Sequence, residues 1–328
     1  MLARLAFTFI VLAAATAAWS APKPEEAAAA HVARAAQLLD GYRGRPEALQ
    51  SARGEIDHAL RLQPRNAPAY RELSRYWIMK GHTGGGSFEP GSLEAAEKAL
   101  AKAQEIDPKY AEAYVLGGHL YRLMGRPQDA HAALDKAEAL GSRDPWLYLN
   151  RADLLGGETK CTASRELYQR VLDSGTTNSK AMMSAYSGLI CANRRAGKLD
   201  EVDALYKRKI AFEPNTAWTY DGYAEFLLCA RDDFKGAVEN SRKAMSLMDF
   251  GYARLRLSAS LVREWAAAVE EGSADANDPR LAEARQLVGV PASEPVSRIV
   301  AEACSSEFTA PERAIEKSVR KLGMPRIR

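Results

Sequence analysis

The sequence predicts an all-α fold in which antiparallel helix pairs stack into a solenoid, and a recurring tyrosine is the first observation behind this prediction. Successive copies are separated by 44, 34, 38 and 34 residues, at Tyr70, Tyr114, Tyr148, Tyr186 and Tyr220. About 34 residues is the length of a helix-turn-helix unit that cannot bury its apolar face alone and must stack on copies of itself. The two longer steps are the same unit with loop insertions of ten and four residues.

Each tyrosine has companions at fixed offsets, which is the second observation. Small residues follow four positions later and large ones seven positions later, so all three lie on one helix face. The small residues are Ser74, Gly118, Ala152 and Ala224, and the large ones are Trp77, Tyr121, Leu155 and Leu227. The predicted second helices carry complementary triplets at Ala96, Leu100 and Ala103, at Ala130, Leu134 and Ala137, and at Ser164, Tyr168 and Val171. Small residues let two helices approach closely, and Pro64, Pro108 and Pro214 end their units.

These residues resemble the tetratricopeptide repeat, best in the unit that contains Tyr114, Gly118, Tyr121, Gly125, Ala130, Leu134 and Ala137. The resemblance covers roughly residues 33–265 and implies about six to seven units in a right-handed superhelical solenoid with a short helical C-terminal cap. The unit around Tyr186 departs from the pattern, because Ile190 stands where a small residue is expected and Asn193 where a large one is. We therefore predict that this unit is helical but less closely packed.

Length and composition agree with a folded repeat protein, the third observation. The chain has 328 residues, of which 47% are hydrophobic and 27% charged, so disorder is not expected. Glycine and proline are spread through turns rather than collected in one linker. The formal charge is only +3, and no basic run is interleaved with aromatic residues, which argues against nucleic acid as a partner.

The first twenty residues are typical of a secretory signal peptide. Arg4 supplies a positive start, residues 5–18 are almost unbroken apolar sequence, and Ala18, Trp19 and Ser20 provide small residues at a cleavable spacing. An uncleaved anchor is the alternative, but about 20 apolar residues are needed to span a bilayer. We expect a periplasmic or secreted protein, without a membrane span in the mature chain, that comprises repeats in 21–271 and a helical tail in 272–328.

Four cysteines, Cys161, Cys191, Cys229 and Cys304, lie in the expected mature chain. An even number in an oxidising compartment permits two disulfides in any of three pairings. Cys161 or Cys229 is expected to be near Cys191 in a stack of units, whereas Cys304 lies in the tail. The alternative is that some are free and act as small apolar residues in helix interfaces.

The insertion at residues 81–91 is rich in glycine and contains Phe88 between polar and glycine-rich sequence. A phosphate-binding loop is not indicated, because the Gly-Lys-Ser/Thr ending and a preceding strand are missing. We expect a mobile surface loop. In it, Phe88 is a candidate exposed anchor for a partner.

No catalytic motif is found, so no enzyme activity and no cofactor are expected. The cysteines and histidines are too scattered for a metal site. The tail shows a linker at 273–278 and helices that begin near Pro279, Pro295 and Pro311, which is typical of prolyl helix starts. Such short helices are better suited to capping the solenoid than to forming a catalytic unit.

In the tetratricopeptide family the first helix of each unit lines a groove, and the resemblance carries this over to residues one, five and eight after each tyrosine. The early units are expected to form a cationic part of this groove that recognises a carboxylate-bearing segment, and the late units are expected to form an acidic part. The candidate groove residues at these offsets are Arg71, Arg75, His119, Arg122, Asp153, Arg194, Asp221 and Glu225. Trp146 and Trp218, each two residues before a tyrosine, are expected to add an aromatic floor to the groove. The alternative is a solvated charged surface.

The sequence thus predicts an exported interaction scaffold or adaptor that binds a protein or peptide in this groove, by resemblance in an envelope-associated assembly. A ligand-binding protein or enzyme, with its site between the groove and the tail, is the alternative function.

Overall fold

The computed structural model describes residues 23–155, 160–291, 294–296, 299, 303–304 and 310–324. The expected signal peptide lies outside these residues. The chain divides into two compact units, residues 1–142 (unit 1) and 143–328 (unit 2), a division that the sequence analysis did not anticipate. Both consist of helix pairs, and the prediction of an all-α helical-repeat solenoid is confirmed.

Unit 1 contains three helix pairs, α1 with α2, α3 with α4 and α5 with α6. Its helices are α1 (Pro24–Asp40), α2 (Pro46–Leu62), α3 (Ala67–Gly81), α4 (Ser92–Ile106), α5 (Ala111–Leu123) and α6 (Pro127–Ala139). The predicted role of the small residues is clear at Gly118. A Cβ atom there would lie 2.4 Å from Cδ2 of the buried Leu134, so only glycine allows α5 and α6 to approach this closely.

The insertion between α3 and α4 forms a two-stranded hairpin and not the irregular loop that was expected, while its mobility stays a prediction. Strands β1 (His82–Gly84) and β2 (Ser87–Phe88) pair antiparallel with Gly84 opposite Ser87. The two turn residues, Gly85 and Gly86, both have positive φ, as a tight hairpin turn requires. The glycines that suggested mobility therefore serve a defined turn.

Unit 2 continues the pattern of helix pairs and ends in the tail. Its helices are α7 (Pro145–Leu154), α8 (Lys160–Ala163), α9 (Arg165–Asp173), α10 (Ser179–Arg195), α11 (Leu199–Phe212), α12 (Ala217–Arg231), α13 (Phe234–Leu247), α14 (Gly251–Glu271), α15 (Pro279–Val288) and α16 (Ala310–Lys321). Helix α15 begins at Pro279 as predicted, and α16 begins beside Pro311. Most residues of the helix predicted near Pro295 lie outside the described ranges.

The predicted loose packing around Tyr186 is wrong. Ile190 and Asn193 are both buried, and Ile190 belongs to the apolar core of unit 2. The close approach is made by Gly188, where a Cβ atom would lie 2.3 Å from the ring of Tyr168 in α9. The small residue is thus two positions earlier than the tyrosine spacing suggests.

Two disulfides join parts of unit 2. Cys161 in α8 is bonded to Cys191 in α10, and Cys229 in α12 is bonded to Cys304 in the tail. The first pairing is one of the neighbour relations expected for Cys191. The alternative of free cysteines is not what the structure shows.

Candidate functional site

The first helices of successive pairs form a shared face, which we call the inner face of each unit. In unit 1, α1 contacts α3 and α3 contacts α5, whereas among the described residues no comparable contact joins α2 to α4 or α4 to α6. In unit 2, α7 contacts α10 and α12 contacts α14. The predicted groove residues all lie on these first helices, α3, α5, α7, α10 and α12.

In unit 1, Arg71 and Arg75 are already engaged by acidic residues of the same unit. Both guanidinium groups bind the carboxylate of Glu72, with Arg75 Nη1 donating to Glu72 Oε2 at 2.7 Å. Arg75 Nη2 also donates to Asp40 Oδ1 at 2.5 Å, which ties α3 to α1. Glu72 is only 2% exposed. The predicted cationic charge of these two arginines is therefore compensated by two acidic residues, and their binding of a carboxylate-bearing segment stays a prediction.

His119 and Arg122 lie one turn apart on α5 and are half-buried. Arg122 Nη2 is 3.4 Å from His119 Nδ1, so the two predicted groove residues form one polar group on the inner face. Whether this group binds a partner stays a prediction.

The prediction of Phe88 as an exposed anchor does not agree with its position. Its half-buried ring packs edge-on against His82, with centroids 5.4 Å apart, and contacts the apolar core of α3, α4 and α5. A side chain that closes a hairpin onto a core is not free to insert into a partner.

In unit 2, three predicted groove residues come together. Arg194 of α10 lies 3.8 Å from Glu225 of α12, and Asp221 is one turn before Glu225. The link between them is Arg256 of α14, with Nη2 3.4 Å from Glu225 Oε2 and Nε 3.5 Å from Asp221 Oδ1. The sequence analysis missed Arg256, because the last recurring tyrosine is Tyr220 and the pattern therefore gives no register for α14.

We call Arg194, Asp221, Glu225 and Arg256 the charge cluster. Burial raises the pKa of Asp221, although Arg256 opposes the change. Beside the cluster lies Tyr206, whose phenol is hydrogen-bonded to Arg194; burial raises the pKa of that phenol to about 12.

We expect the stability of unit 2 to fall at alkaline pH because of Tyr206. Its folded pKa of about 12 exceeds the value of about 10 for an unfolded tyrosine. The stabilisation is therefore complete below about pH 10 and is lost as pH rises towards about 12. Urea unfolding of the wild type and of Tyr206→Phe across this pH range tests the prediction. The quantity compared is how steeply the free energy of unfolding of each protein falls with pH. Equal slopes would show that Tyr206 does not titrate late.

The remaining predicted groove residues of unit 2 do not form one groove together with the charge cluster. Trp146 and Asp153 are half-buried on α7, where Trp146 contacts the core of unit 2. Trp218 is 54% exposed and packs on Phe250, with ring centroids 4.2 Å apart, and on Tyr252. The aromatic floor predicted from Trp146 and Trp218 is thus an exposed aromatic cluster around Trp218 and a separate core contact at Trp146.

Among the described residues, no group of three or more histidine, cysteine, aspartate or glutamate side chains is arranged to hold a metal ion. Within the same residues, no helix combines the length and apolar character that crossing a membrane would require.

No protein-family model matches the chain, and no curated protein matches it in sequence. Solved structures, in contrast, match the chain in fold. A chain of the APC/C hetero-tetramer Cut9-Hcn1 matches with a TM-score of 0.51 and 14% identity, over 72% of this chain and 47% of that one. This protein therefore spans about half the length of that chain.

The pilF protein of Pseudomonas aeruginosa matches with a TM-score of 0.51 and 14% identity, over 69% of this chain and 94% of that one. A thermophilic TPR protein from Thermus thermophilus has 19% identity and a TM-score of 0.47, over 62% and 100%. At these identities the first two likenesses show the fold alone, and it is the tetratricopeptide-repeat fold that the sequence predicted.

Proposed function

We propose that this protein is an exported interaction scaffold or adaptor that binds a protein or peptide segment on the inner faces of its helix pairs, in an envelope-associated assembly. It has no cofactor and no chemistry of its own. The observation that supports the proposal most directly lies in unit 2, where the inner face of α12 and α14 packs against another stretch of polypeptide, the chain's own tail.

That packing has the features of peptide recognition. Val296, Ile299 and Ala303 of the tail are at most 2% exposed and join the apolar core of unit 2. Arg256 donates a hydrogen bond to the backbone carbonyl of Ala303. Apolar anchors combined with a main-chain contact are a common mode of peptide recognition.

The inner face of unit 1 is the proposed surface for a partner. It carries the predicted groove residues His119 and Arg122, which are half-buried on the inner helix α5. The partner is a protein or peptide segment, and no nucleic acid is proposed.

Site-specific photo-crosslinking tests the proposal. A benzophenone amino acid is placed at His119 on the inner helix α5 and, as the matched control, at the exposed Lys98 on the second helix α4. Irradiation of the envelope fraction should yield a discrete adduct from position 119 and none from position 98. Adducts of equal yield, or none at 119, would contradict binding on the inner face.

Export is proposed from the signal-like start of the chain and is supported by the two disulfides, which form in oxidising compartments. We expect the mature protein to begin close to Trp19, Ala21 or Pro22, and intact mass spectrometry of the envelope fraction measures this. A species of the full 35.9 kDa in that fraction would contradict cleavage.

A further inference from the structure

The C-terminal tail is bound to the inner face of α12 and α14 at two places. Helix α16 contacts both helices, and Ser318 Oγ donates to the Ala266 carbonyl at 2.9 Å. The preceding segment contributes the buried Val296, Ile299 and Ala303, and the Cys229–Cys304 disulfide fixes it to α12. The tail is therefore attached covalently at Cys304 and by non-covalent contacts elsewhere.

The surface below the tail holds the ion pair of Asp221 and Arg256, and one guanidinium nitrogen of Arg256 already donates to the tail at Ala303. Asp221 Oδ1 and Arg256 Nε are both buried and lie 3.5 Å apart in this ion pair, but among the described residues neither atom makes a hydrogen bond. Burying polar atoms that make no hydrogen bond is costly, so a site that leaves them is suited to a ligand that supplies partners. A peptide group carries one N–H donor and one C=O acceptor, which is the pair that Asp221 and Arg256 can receive.

The tail itself indicates the kind of segment that fits. Val296, Ile299 and Ala303 follow one another at intervals of three and four positions in the sequence. All three side chains are buried in the apolar core of unit 2. An amphipathic segment that presents apolar groups at i, i+3 and i+7 is a known ligand type for helical grooves.

We infer that the inner face of α12 and α14 is a second peptide-binding site, that the tail occupies it, and that opening the Cys229–Cys304 disulfide makes it available to a partner segment with this apolar pattern. The inference rests on the proposed binding role of the inner faces. We call this surface the tail site.

Opening the tail site is a thiol–disulfide exchange. A dithiol, such as that of a disulfide oxidoreductase, attacks the Cys304 sulfur, because Cys304 is half-buried whereas Cys229 is only 3% exposed. The dithiol loses two electrons and two protons and becomes a disulfide. Cys229 and Cys304 become thiols, and the tail near Ala303 then dissociates without breaking a covalent bond.

Disulfide trapping in the full chain tests the inference. In the Cys304→Ala variant the tail is untethered and Cys229 is a free thiol. The probe is a synthetic peptide with the sequence of residues 291–306, whose cysteine carries a thiopyridine group. Attack by the Cys229 thiolate forms the mixed disulfide and releases thiopyridone, and intact mass measures the rate.

We expect the native peptide to react about tenfold faster or more than a scrambled peptide with the same cysteine, because only the native order buries its apolar side chains together. The matched control is Cys161→Ala, which frees the half-buried Cys191 and keeps the tail disulfide. There the two peptides should react at equal rates.

Equal rates for both peptides at Cys229 would overturn the inference. So would an unreactive Cys229 in Cys304→Ala, provided that amide exchange in residues 294–304 stays as slow as in the oxidised wild type. Far-UV circular dichroism confirms that the variants fold. Failure here leaves the photo-crosslinking result at His119 in unit 1 unaffected, so the two proposals are tested separately.

Discussion

Replacing Arg71 and Arg75 together by alanine is expected to lower the free energy of unfolding by about 3–5 kcal/mol. Both arginines bind Glu72, which is 2% exposed, so the double substitution leaves a buried carboxylate without its two cationic partners. Removing one side of a buried ion pair costs far more than the pair itself contributes, because desolvation is no longer compensated. Urea unfolding measures the change.

Two further variants identify the cause. Arg61→Ala with Arg65→Ala removes two exposed arginines from the same unit and should cost less than about 1 kcal/mol. Adding Glu72→Gln to the Arg71 and Arg75 double variant removes the stranded charge and should restore part of the stability. A double variant as stable as the wild type would show that Arg71 and Arg75 do not stabilise the buried Glu72 carboxylate. The two arginines would then belong to a solvated charged surface.

The second large effect is expected for Trp265→Ala, at about 3–5 kcal/mol. Trp265 is fully buried in the core of unit 2, and its indole N–H donates to the Asp275 carbonyl at 2.8 Å. The substitution leaves a large cavity between α14 and the segment that leads to α15. It also removes the donor from a carbonyl in that segment, which adds to the cost.

The chain offers a matched control for this substitution in the same unit. Trp218→Ala removes an identical side chain that is 54% exposed, and surface changes of this kind usually alter stability by about 0.5 kcal/mol. Trp265→Phe should be intermediate, because it keeps most of the volume but not the N–H. A Trp265→Ala variant no less stable than Trp218→Ala would contradict the assignment of Trp265 to the core.

The fold was predictable because its determinants are local and repeated. The tyrosines mark first helices, Gly118 marks a close helix contact, and Pro279 marks a helix start; each is a property of a few neighbouring residues. Where a single copy departs from the pattern, the spacing misleads. In the unit around Tyr186 the small residue is Gly188, two positions before the one that the spacing indicates, and only its contact with Tyr168 reveals this.

The candidate site was less predictable because its charges are compensated across helices. Arg75 is neutralised by Asp40, which is 35 residues away and belongs to another helix pair. Arg256 connects Asp221 and Glu225 from a helix without a repeat tyrosine. Spacing identifies which face a side chain occupies, but it does not identify the partner that neutralises it.

The order of the disulfides bears on how the protein matures. All four cysteines lie in unit 2, and each bonds to its neighbour along the chain, Cys161 to Cys191 and Cys229 to Cys304. If the chain is translocated from its N-terminus, as the proposed export requires, an oxidase that joins cysteines in order of emergence forms the native pattern directly. Of the three pairings that four cysteines allow, this one needs no isomerase. Unit 1, which has no cysteine, can fold before any oxidation takes place.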